Sequence, residues 1–318
     1  MKKQIAWGTS KLLEMYIKNT GEIPFEYCID DFTEKGSFAS LPIKKSDQIL
    51  KEEKGSFKII IFAVSNRSLQ EISLKLNQVG LQYGVDYIYY SDFFYNDFVK
   101  KVESRLGFVL DPKIYRFALS YTLNSRTLIQ TTILGTWLFL ELINHLNDVE
   151  GEIAEVGAFQ GGNALCSLNF MSQLNSKRFY IFDSFEGFPE LSEFDPSIFC
   201  KGDLNIETTL QEILDAFAVF PEAIVIKGFV PDTLSKLSTD EKFSLVFYDC
   251  DLYQPALDTY EFFWDRIVPG GFLVIHDYKT QEGGFVGVEK ATHEFFDPRK
   301  IDVVSFFENT MAIVKKPI

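Results

Sequence analysis

The clearest structural signal in this sequence is the run Glu155-Val-Gly157-Ala-Phe-Gln-Gly161-Gly162-Asn163, which is predicted to join a short strand to a helix. A glycine-rich turn allows the backbone to approach a ligand closely, and the start of the following helix offers free N–H groups. The spacing is G-x-x-x-G, not the G-x-G-x-x-G of a pyrophosphate binder, and Glu155 lies two residues before the first glycine. These features indicate a ligand with a cationic centre and an amino-acid head, with a tight turn that binds nothing as the alternative.

Segments of strand length recur on both sides of this turn. The five that alternate with helices are Glu152–Val156, Arg178–Phe182, Ala223–Ile226, Phe243–Tyr248 and Gly271–Ile275. Two further strands, Asp302–Phe307 and Thr310–Val314, are predicted to form a terminal hairpin around Glu308-Asn309. Five parallel strands and a final antiparallel pair predict a doubly wound α/β sheet, typical of nucleoside-binding methyltransferases but shared by other doubly wound proteins.

The first 95 residues predict a smaller Rossmann-like α/β domain. Its predicted strands and helices are Gln4–Trp7, Lys11–Lys18, Phe25–Ile29, Lys58–Val64, Ser68–Leu76 and Tyr87–Tyr90. Residues 96–150 are predicted to form a helical connector and lid, and residues 151–318 the main domain. Asp30 and Asp31 follow the second strand, either as ribose ligands or as a solvated turn. Only Gly8 of the usual dinucleotide-binding glycines is present, so a role in packing, oligomer contacts or substrate holding is expected.

The composition excludes several classes of protein. The chain has 318 residues, 46% of them hydrophobic, and a net charge of −14 from 31 basic and 45 acidic residues. This excess of acids argues against nucleic-acid or anionic-membrane partners, because few cations are free to neutralise phosphates. The apolar stretch Ile133–Ile143 is too short to span a bilayer and contains Glu141, and we find no signal peptide. Four widely spaced cysteines without a C-x-x-C pair indicate reduced thiols, so a cytoplasmic protein is expected.

Residues at the ends of the predicted strands supply candidate binding groups. Asp183 ends the strand after the glycine turn, where a ribose diol is commonly held by paired hydrogen bonds. Phe185 follows it, after Ser184, and is a candidate to stack on an adenine ring. The alternative is that Asp183 only caps the turn that follows.

Two other strands end in residues that can bind a cation. Asp249 follows the strand Phe243–Tyr248, and His276 and Asp277 follow the strand Gly271–Ile275. If the two strands are adjacent and parallel, their ends lie about 5 Å apart. Oxygen ligands with open positions suit Mg²⁺, and the imidazole moves the preference towards Mn²⁺ or another transition ion. Without a metal, the same three residues would form a general-base cluster.

Several motifs follow one another in a fixed order along residues 118–318. They include Gly151-Glu-Ile-Ala-Glu155-Val-Gly157, Asp183-Ser-Phe-Glu-Gly-Phe-Pro189, Lys227-Gly228-Phe229, Asp249-Cys-Asp251-Leu-Tyr253, Pro269-Gly-Gly-Phe272 and His276-Asp277-Tyr278. Together they resemble the macrocin O-methyltransferase family, S-adenosylmethionine-dependent enzymes that methylate sugar hydroxyls. A set of motifs in register over two hundred residues is far more specific than any one of them.

The resemblance implies a class I methyltransferase fold that binds S-adenosylmethionine. The cofactor-binding residues it implies are Glu155, Gly157, Gly161, Asp183, Ser184, Phe185, Gly228 and Phe229. The family's divalent-metal site uses the first Asp of D-G-D-L-Y and both Asp of D-D-Y, which fall on Asp249, His276 and Asp277. His276 therefore replaces a family aspartate, which leaves open whether it binds the ion or takes the substrate proton. Cys250 replaces a glycine and narrows the turn.

The sequence thus predicts a sugar O-methyltransferase assisted by Mg²⁺, Mn²⁺ or another divalent ion. The reaction would be an in-line displacement in which the protein orients the partners and removes a proton. One alternative is a nucleotide-sugar oxidoreductase or epimerase that uses the N-terminal domain. Another is a non-catalytic, nucleoside-binding partner protein of a glycan pathway. The acceptor (a glycan, a nucleotide sugar or a glycosylated natural product) and a homo-oligomeric state stay open.

Overall fold

The computed structural model describes residues 2–174, 177–206, 209–278, 286–306 and 310–318. The chain forms two compact units. One consists of Met1–Gly107 and Leu119–Leu134, and the other of Phe108–Ala118 and Gly135–Ile318. Residues 96–150, the predicted connector, are thus divided between the two units.

The first unit contains the predicted Rossmann-like arrangement. Its strands are β1 (Lys3–Trp7), β2 (Phe25–Ile29), β3 (Ser37–Phe38), β4 (Leu41–Lys44), β5 (Phe57–Ile61) and β6 (Tyr87–Tyr89). They form one sheet in the order β3-β4-β2-β1-β5-β6, and every pair is parallel except β3 with β4. The α-helices in this part of the chain are α1 (Lys11–Thr20), α2 (Asn66–Gln78), α3 (Tyr90–Leu106) and α4 (Pro112–Asn124), the last with residues in both units, and a 3-10 helix spans Ser46–Lys51.

Apolar sequence accounts for the buried strands of this sheet, and local polar contacts account for the differences from prediction. The three isoleucines Ile59–Ile61 of β5 are at most 1% exposed, as expected for a parallel strand covered on both faces. The strands β3 and β4 are not predicted from the sequence, because they are short and only Leu41 within them is buried. Tyr90, predicted to end a strand, begins α3 instead. The Asp92 carboxylate accepts a hydrogen bond from the Tyr89 backbone N–H and caps that helix.

The second unit contains the predicted doubly wound sheet. Its strands are β7 (Glu152–Val156), β8 (Phe179–Asp183), β9 (Ala223–Lys227), β10 (Phe243–Tyr248), β11 (Ile267–His276), β12 (Val304–Phe306) and β13 (Met311–Lys315). Their order is β12-β13-β11-β10-β7-β8-β9, in which β13 is antiparallel to both neighbours and β7–β11 are parallel. The predicted fold class is therefore confirmed. The hairpin turn predicted at Glu308-Asn309, together with Phe307, lies outside the described residues.

The remaining α-helices are α5 (Ile133–His145), α6 (Gly162–Met171), α7 (Leu210–Phe217), α8 (Tyr253–Phe263) and α9 (Val286–Phe296). The apolar helix α5 contains one buried acid, Glu141. Its Oε1 accepts hydrogen bonds from the Asp111 backbone N–H and from the Trp137 indole, each at 2.7 Å. Burial raises the pKa of the Glu141 carboxyl to about 7. In the part of the chain that the structure describes, no helix has the length and apolar character needed to cross a bilayer.

The register of the second sheet places the candidate site residues at one edge. Val156 pairs with both Tyr248 and Phe182, and Tyr248 pairs with Ile275. Because these strands are parallel, their carboxyl ends lie at the same edge of the sheet. The strand β10 is buried along its whole length, so this edge is held by a rigid core strand. The residues at or just after the ends of the four central strands therefore meet there: Gly157, Asp183, Asp249, His276 and Asp277.

Candidate functional site

A cleft of about 690 Å³, part of it open to solvent, lies at this carboxyl edge. The predicted site residues that line it are Gly157, Asp183, Ser184, Gly228, Phe229 and Asp249. The predicted residues that are not part of its lining are Glu155, Gly161, Phe185, His276 and Asp277. Open α/β sheets bind ligands at this edge, so the cleft is the candidate cofactor site.

The turn between β7 and α6 depends on Gly157. Its φ is +95°, and a Cβ atom at this position would lie 2.1 Å from the backbone oxygen of Asp249. Any other residue would therefore collide with the end of β10. Gly161, at the start of α6, is also confined, because a Cβ atom there would lie 2.6 Å from the ring of Phe217. The glycine turn thus packs directly against the strand end that carries Asp249.

Asp183 accepts three backbone hydrogen bonds. Its Oδ2 accepts from the N–H groups of Ala158 and Phe159, each at 2.7 Å, and its Oδ1 accepts from the N–H of Phe185 at 2.6 Å. Burial raises the pKa of this carboxyl, although the three backbone donors oppose the shift. The carboxylate therefore fixes the glycine turn and caps the turn that follows, and it also lines the cleft.

Phe185 does not reach the cleft, which corrects the expectation that it stacks on adenine. Its side chain is 1% exposed, its φ is +56°, and its N–H is held by Asp183. The aromatic rings that line the cleft include Phe188 and Phe229. Sequence reasoning missed Phe188, because which aromatic residue of this motif faces the cleft depends on the turn made at Phe185.

Two buried acceptor atoms beside the cleft receive no hydrogen bond from the residues that the structure describes. Glu155 is 1% exposed and Asn163 is 7% exposed. The Asn163 amide donates to Glu155 Oε1 at 3.2 Å, whereas Glu155 Oε2 and Asn163 Oδ1 have no hydrogen-bond partner within the described ranges. An unsatisfied buried acceptor costs about 1–3 kcal/mol, and burial raises the pKa of the Glu155 carboxyl well above its usual value. An ammonium group would supply the missing donors, so this pair fits the amino-acid head expected of the cofactor.

Asp249, His276 and Asp277 converge on one point. The Nδ1 atom of His276 lies 2.7 Å from Asp249 Oδ1 and 2.8 Å from Asp277 Oδ2. A ring nitrogen carries at most one proton, and this one is buried without a well-directed hydrogen bond to any described residue. Two carboxylate oxygens and an imidazole nitrogen, all within 4.8 Å of one another, form a donor set that fits a divalent cation. The structure thus brings together the three residues predicted to bind a metal.

A shifted pKa and positive backbone φ angles occur together at this edge. Burial lowers the pKa of the His276 imidazole, but the flanking carboxylates of Asp249 and Asp277 raise it further, to well above its usual value. Asp251 and Asp277 have φ values of +66° and +49°, which for residues other than glycine cost about 1–3 kcal/mol each. Strain of this size is typical of functional sites.

Asp251 is an acidic cleft residue that sequence reasoning missed. It lines the cleft and hydrogen-bonds to Asp277. Burial and the neighbouring carboxylates of Asp277 and Asp249 raise the pKa of its carboxyl well above the usual value. The signal that could have found it is the D-x-D spacing, which places two acids in one turn after β10.

Comparisons with known proteins place this chain among O-methyltransferases. A sequence profile described as Macrocin-O-methyltransferase (TylF) matches residues 139–307. Mycinamicin III 3''-O-methyltransferase of Micromonospora griseorubida is 22% identical over 188 residues, which is 52% of this chain and 72% of that protein. The 8-demethyl-8-(2,3-dimethoxy-alpha-L-rhamnosyl)-tetracenomycin-C 4'-O-methyltransferase of Streptomyces olivaceus is 26% identical over 145 residues. That match covers 41% of this chain and 54% of the relative, so it spans about half of the second protein.

Two solved structures share the fold. The O-methyltransferase NovP matches with a TM-score of 0.53 and 16% identity, covering 72% of this chain and 100% of its own. The calicheamicin methyltransferase CalS11 matches with a TM-score of 0.51 and 17% identity, covering 69% of this chain and 91% of its own. At these identities the likeness shows the fold alone. Because the family profile covers more than half of the sequence, this chain belongs to the macrocin-O-methyltransferase family and is an S-adenosylmethionine-dependent O-methyltransferase.

Proposed function

We propose that this protein methylates a sugar hydroxyl of a glycosylated natural product with the help of a divalent cation. The observation that carries the proposal is the convergence of Asp249, His276 and Asp277 at the cleft edge. The acceptor class is supported by the relatives' names, which specify mycinamicin III in one case and a rhamnosyl tetracenomycin in the other. A cleft that binds a nucleoside alone would not need three cation-binding side chains at its rim.

The proposed reaction is a single in-line displacement. A hydroxyl oxygen of the acceptor attacks the methyl carbon of the sulfonium, so that an O–C bond forms. The S–C bond breaks, and its electron pair returns to sulfur to give S-adenosylhomocysteine. The hydroxyl proton passes to a base of the protein. Because the sulfonium is already activated, the protein contributes orientation and proton removal.

Three residues are proposed to bind the cofactor. The free acceptor atoms of Glu155 and Asn163 would receive hydrogen bonds from its amino group, which removes the cost of leaving them unsatisfied. Asp183 still has acceptor capacity at its two oxygens and lines the cleft, so it would hold a ribose hydroxyl. Together they would point the methyl group towards the acidic edge.

The acidic edge is proposed to receive the acceptor hydroxyl. Asp249, His276 and Asp277 would hold the divalent cation, which supplies a Lewis acid that lowers the pKa of a hydroxyl bound to it. Asp251 lines the cleft in the same turn as Asp249 and would take the hydroxyl proton in its ionised form, which a cation bound nearby would favour against the effect of burial on its pKa. The turn would thus combine positioning of the acceptor oxygen with its deprotonation.

Calorimetric titration with S-adenosylhomocysteine, with and without Mg²⁺ or Mn²⁺, is the first test. We expect micromolar binding by the natural protein and about tenfold weaker binding by Glu155→Gln, because the amide cannot balance a cationic amino group. Glu150→Gln, an exposed neighbour, is the matched control and should bind normally. The absence of binding under every metal condition would overturn the cofactor assignment and favour a non-catalytic partner protein.

A second test separates the two roles considered for His276. His276→Asp provides the aspartate of the family motif, and transfer of labelled methyl groups to a panel of rhamnosides can then be measured with Mg²⁺ and Mn²⁺. If His276 binds the ion, the variant should keep turnover within about tenfold and shift its preference towards Mg²⁺, since carboxylates favour that ion. An unchanged metal preference with lost turnover would instead assign His276 to proton transfer.

A further inference from the structure

The helix that follows the acidic turn is capped from a distant loop. The helix α8 begins at Tyr253, and the preceding residue, Leu252, has no side-chain acceptor with which to cap it. The Asp195 carboxylate accepts a hydrogen bond from the Tyr253 backbone N–H at 2.8 Å. A carboxylate at this position satisfies a free N–H group and stabilises the positive end of the helix dipole. Asp195 therefore performs the capping that the local sequence cannot provide.

Asp195 is itself fixed on several sides. Its Oδ2 accepts hydrogen bonds from the Ser192 backbone N–H at 2.8 Å and from the Ser192 hydroxyl at 2.7 Å. The ring of Phe194 packs edge-on against the ring of Tyr253, with the centroids 4.8 Å apart. Gly287 of α9 leaves the necessary room, because a Cβ atom there would lie 2.8 Å from Asp195 Oδ1. The carboxylate is thus held by its own loop and by α8, and the glycine of α9 leaves room for it.

The hydrogen bond from Tyr253 lies next to the acidic turn. Tyr253 is four residues after Asp249 in the sequence, and Asp251 between them has the strained φ of +66°. The turn is attached to β7 at its start, where the Asp249 N–H donates to the Val156 carbonyl at 2.8 Å. Its end is attached at two neighbouring residues. Leu252 is hydrogen-bonded to the Tyr248 hydroxyl. The Tyr253 N–H donates to Asp195, which ties the turn to a different loop. Both ends must be fixed for the two carboxylates of this turn to keep their positions.

The rest of the loop does not need Asp195 to keep its shape. The Phe188 N–H donates to the Asp203 carbonyl at 2.9 Å, and the Gly202 N–H donates to the Phe188 carbonyl at 2.9 Å. The Asp203 carboxylate makes a local bond of its own, from the Cys200 N–H at 2.8 Å. The cleft wall at Phe188 and the start of α8 are therefore held by separate contacts, which can be removed one at a time.

We propose that Asp195 is a positioning residue for methyl transfer, which acts through the Tyr253 N–H to hold the turn that carries Asp249 and Asp251. Asp195 does not line the cleft, and the proposed contacts with the cofactor do not involve it. The catalytic consequence rests on the proposed function, because it requires Asp249 to hold a cation and Asp251 to take a proton. The structural consequence, a fixed start of α8, does not.

The test compares Asp195→Ala, Asp195→Asn and the control Asp203→Ala by hydrogen exchange of the full chain. Asp195→Ala should speed exchange in peptides spanning residues 249–256 by about tenfold and leave residues 184–189 unchanged, because the hydrogen bonds it removes are those from Tyr253 and Ser192 and none involves residues 184–189. Asp195→Asn keeps an acceptor oxygen and should stay within about threefold of the natural protein. Asp203→Ala removes a similar bond from the same loop and should not affect residues 249–256.

A parallel titration with Mn²⁺, followed by the electron paramagnetic resonance of the free ion, tests the consequence for the site. Asp195→Ala should bind Mn²⁺ about tenfold more weakly than Asp195→Asn, while the affinity for S-adenosylhomocysteine stays within about threefold. Unchanged exchange at residues 249–256, or a uniform rise throughout the chain, would overturn the inference. If the natural protein binds no Mn²⁺, the proposed metal site fails, and the exchange data still decide the role of Asp195.

Discussion

The two sheets of this chain have the same connections at their carboxyl edges. A glycine follows the first strand in each, Gly8 in one and Gly157 in the other, with φ values of +110° and +95°. An aspartate lies at the end of the next strand in each, and both aspartates accept hydrogen bonds from the backbone of the glycine turn. In the first unit Asp30 accepts from Thr9, and in the second Asp183 accepts from the residues after Gly157. Each unit therefore has a glycine turn that is held by the aspartate at the end of the next strand.

The difference lies in the side chains placed on that framework. The strand on the other side of the glycine turn is followed by Phe62 in the first unit, fully buried, and by Asp249 in the second. Two residues before the glycine, the first unit has Ala6 and the second has Glu155. Apolar side chains complete a core, whereas acidic ones need a cation or a donor. The two units therefore share the backbone arrangement at this edge and differ in the residues at these two positions, which are apolar in the first unit and acidic in the second.

The largest effect should come from removing the acids that the first unit lacks. Asp249→Ala and Asp277→Ala should each lower methyl transfer by about a thousandfold or more, because the proposed function assigns cation binding and proton removal to this edge. Binding of S-adenosylhomocysteine, measured by calorimetry, should be preserved. Asp30→Asn in the first unit is the control and should change turnover by less than about twofold. Retained turnover in both variants would show that methyl transfer does not need the acids at this edge, so that the two edges would not differ in this respect.

The two glycines provide the next comparison. Gly157→Ala should destabilise the protein by about 3 kcal/mol or more, because the added Cβ would overlap the Asp249 carbonyl as well as strain the backbone. At Gly8 the nearest atom to an added Cβ is 3.5 Å away, so Gly8→Ala should cost only the strain, about 1–2 kcal/mol. Chemical denaturation followed by circular dichroism measures both. Equal losses would mean that close packing at Gly157 adds nothing to the cost.

The buried carboxyl of Glu141 is expected to make the free energy of unfolding depend on pH. The buried amide of Asn66 in the first unit does not titrate and should have no such effect. The carboxyl of Glu141 has a pKa of about 7 in the folded state and about 4.5 when unfolded. Because the folded state holds its proton more tightly, the stabilisation is complete below about pH 4.5 and is lost as the pH rises through 7. Glu141→Gln should therefore raise the free energy of unfolding at pH 8 by about 1–3 kcal/mol and have little effect at pH 4.

Denaturation curves at several pH values measure this difference. Glu71→Gln, on an exposed position of α2, is the control and should leave the pH dependence unchanged. If Glu141→Gln shows the same slope as the natural protein between pH 5 and pH 8, the buried carboxyl is not the group that titrates.

The smallest expected effect concerns the paired aspartates. Asp183→Asn should weaken S-adenosylhomocysteine binding by about tenfold, because it removes the charge proposed to hold the ribose and replaces one of the two oxygens that accept backbone N–H groups around the glycine turn. Asp30→Asn should not change that affinity. Calorimetry on both variants decides the matter, and a similar loss in each would mean that the effect on binding is general rather than local.

Much of the fold could be predicted because its strands are continuous apolar runs. Phe243–Tyr248 and Lys58–Val64 are long enough and apolar enough to indicate buried parallel strands, and β10 and β5 lie there. The meeting of Asp249 with His276 could also be predicted, because it follows from two adjacent parallel strands that end together. The short strands β3 and β4 carry no such pattern, so local sequence does not reveal them.

What could not be predicted depends on contacts between residues far apart in the sequence. Phe185 lies in a turn with φ of +56° whose N–H is held by Asp183, and Asp183 is in turn fixed by the glycine turn 25 residues earlier. The capping of α8 joins Asp195 to Tyr253 across 58 residues, and neither position has a local signal for it. Hydrophobic periodicity in the sequence predicts which face of a helix or strand is buried. These contacts instead depend on how the loops are arranged in three dimensions.

The position of β13 has a consequence for how the protein is made. Among the strands of the second sheet it is the last in sequence, yet it lies inside the sheet, between β12 and β11, with Met311 opposite His276. During synthesis the ribosome releases β10 and β11 long before β13, so the edge of β11 stays open until residues 311–315 emerge. An unpaired apolar strand edge is a site of aggregation, which makes this interval the time when a chaperone would be needed. Deletions within β13 should therefore lower the yield of folded protein at a smaller size than is needed to lower the rate of methyl transfer.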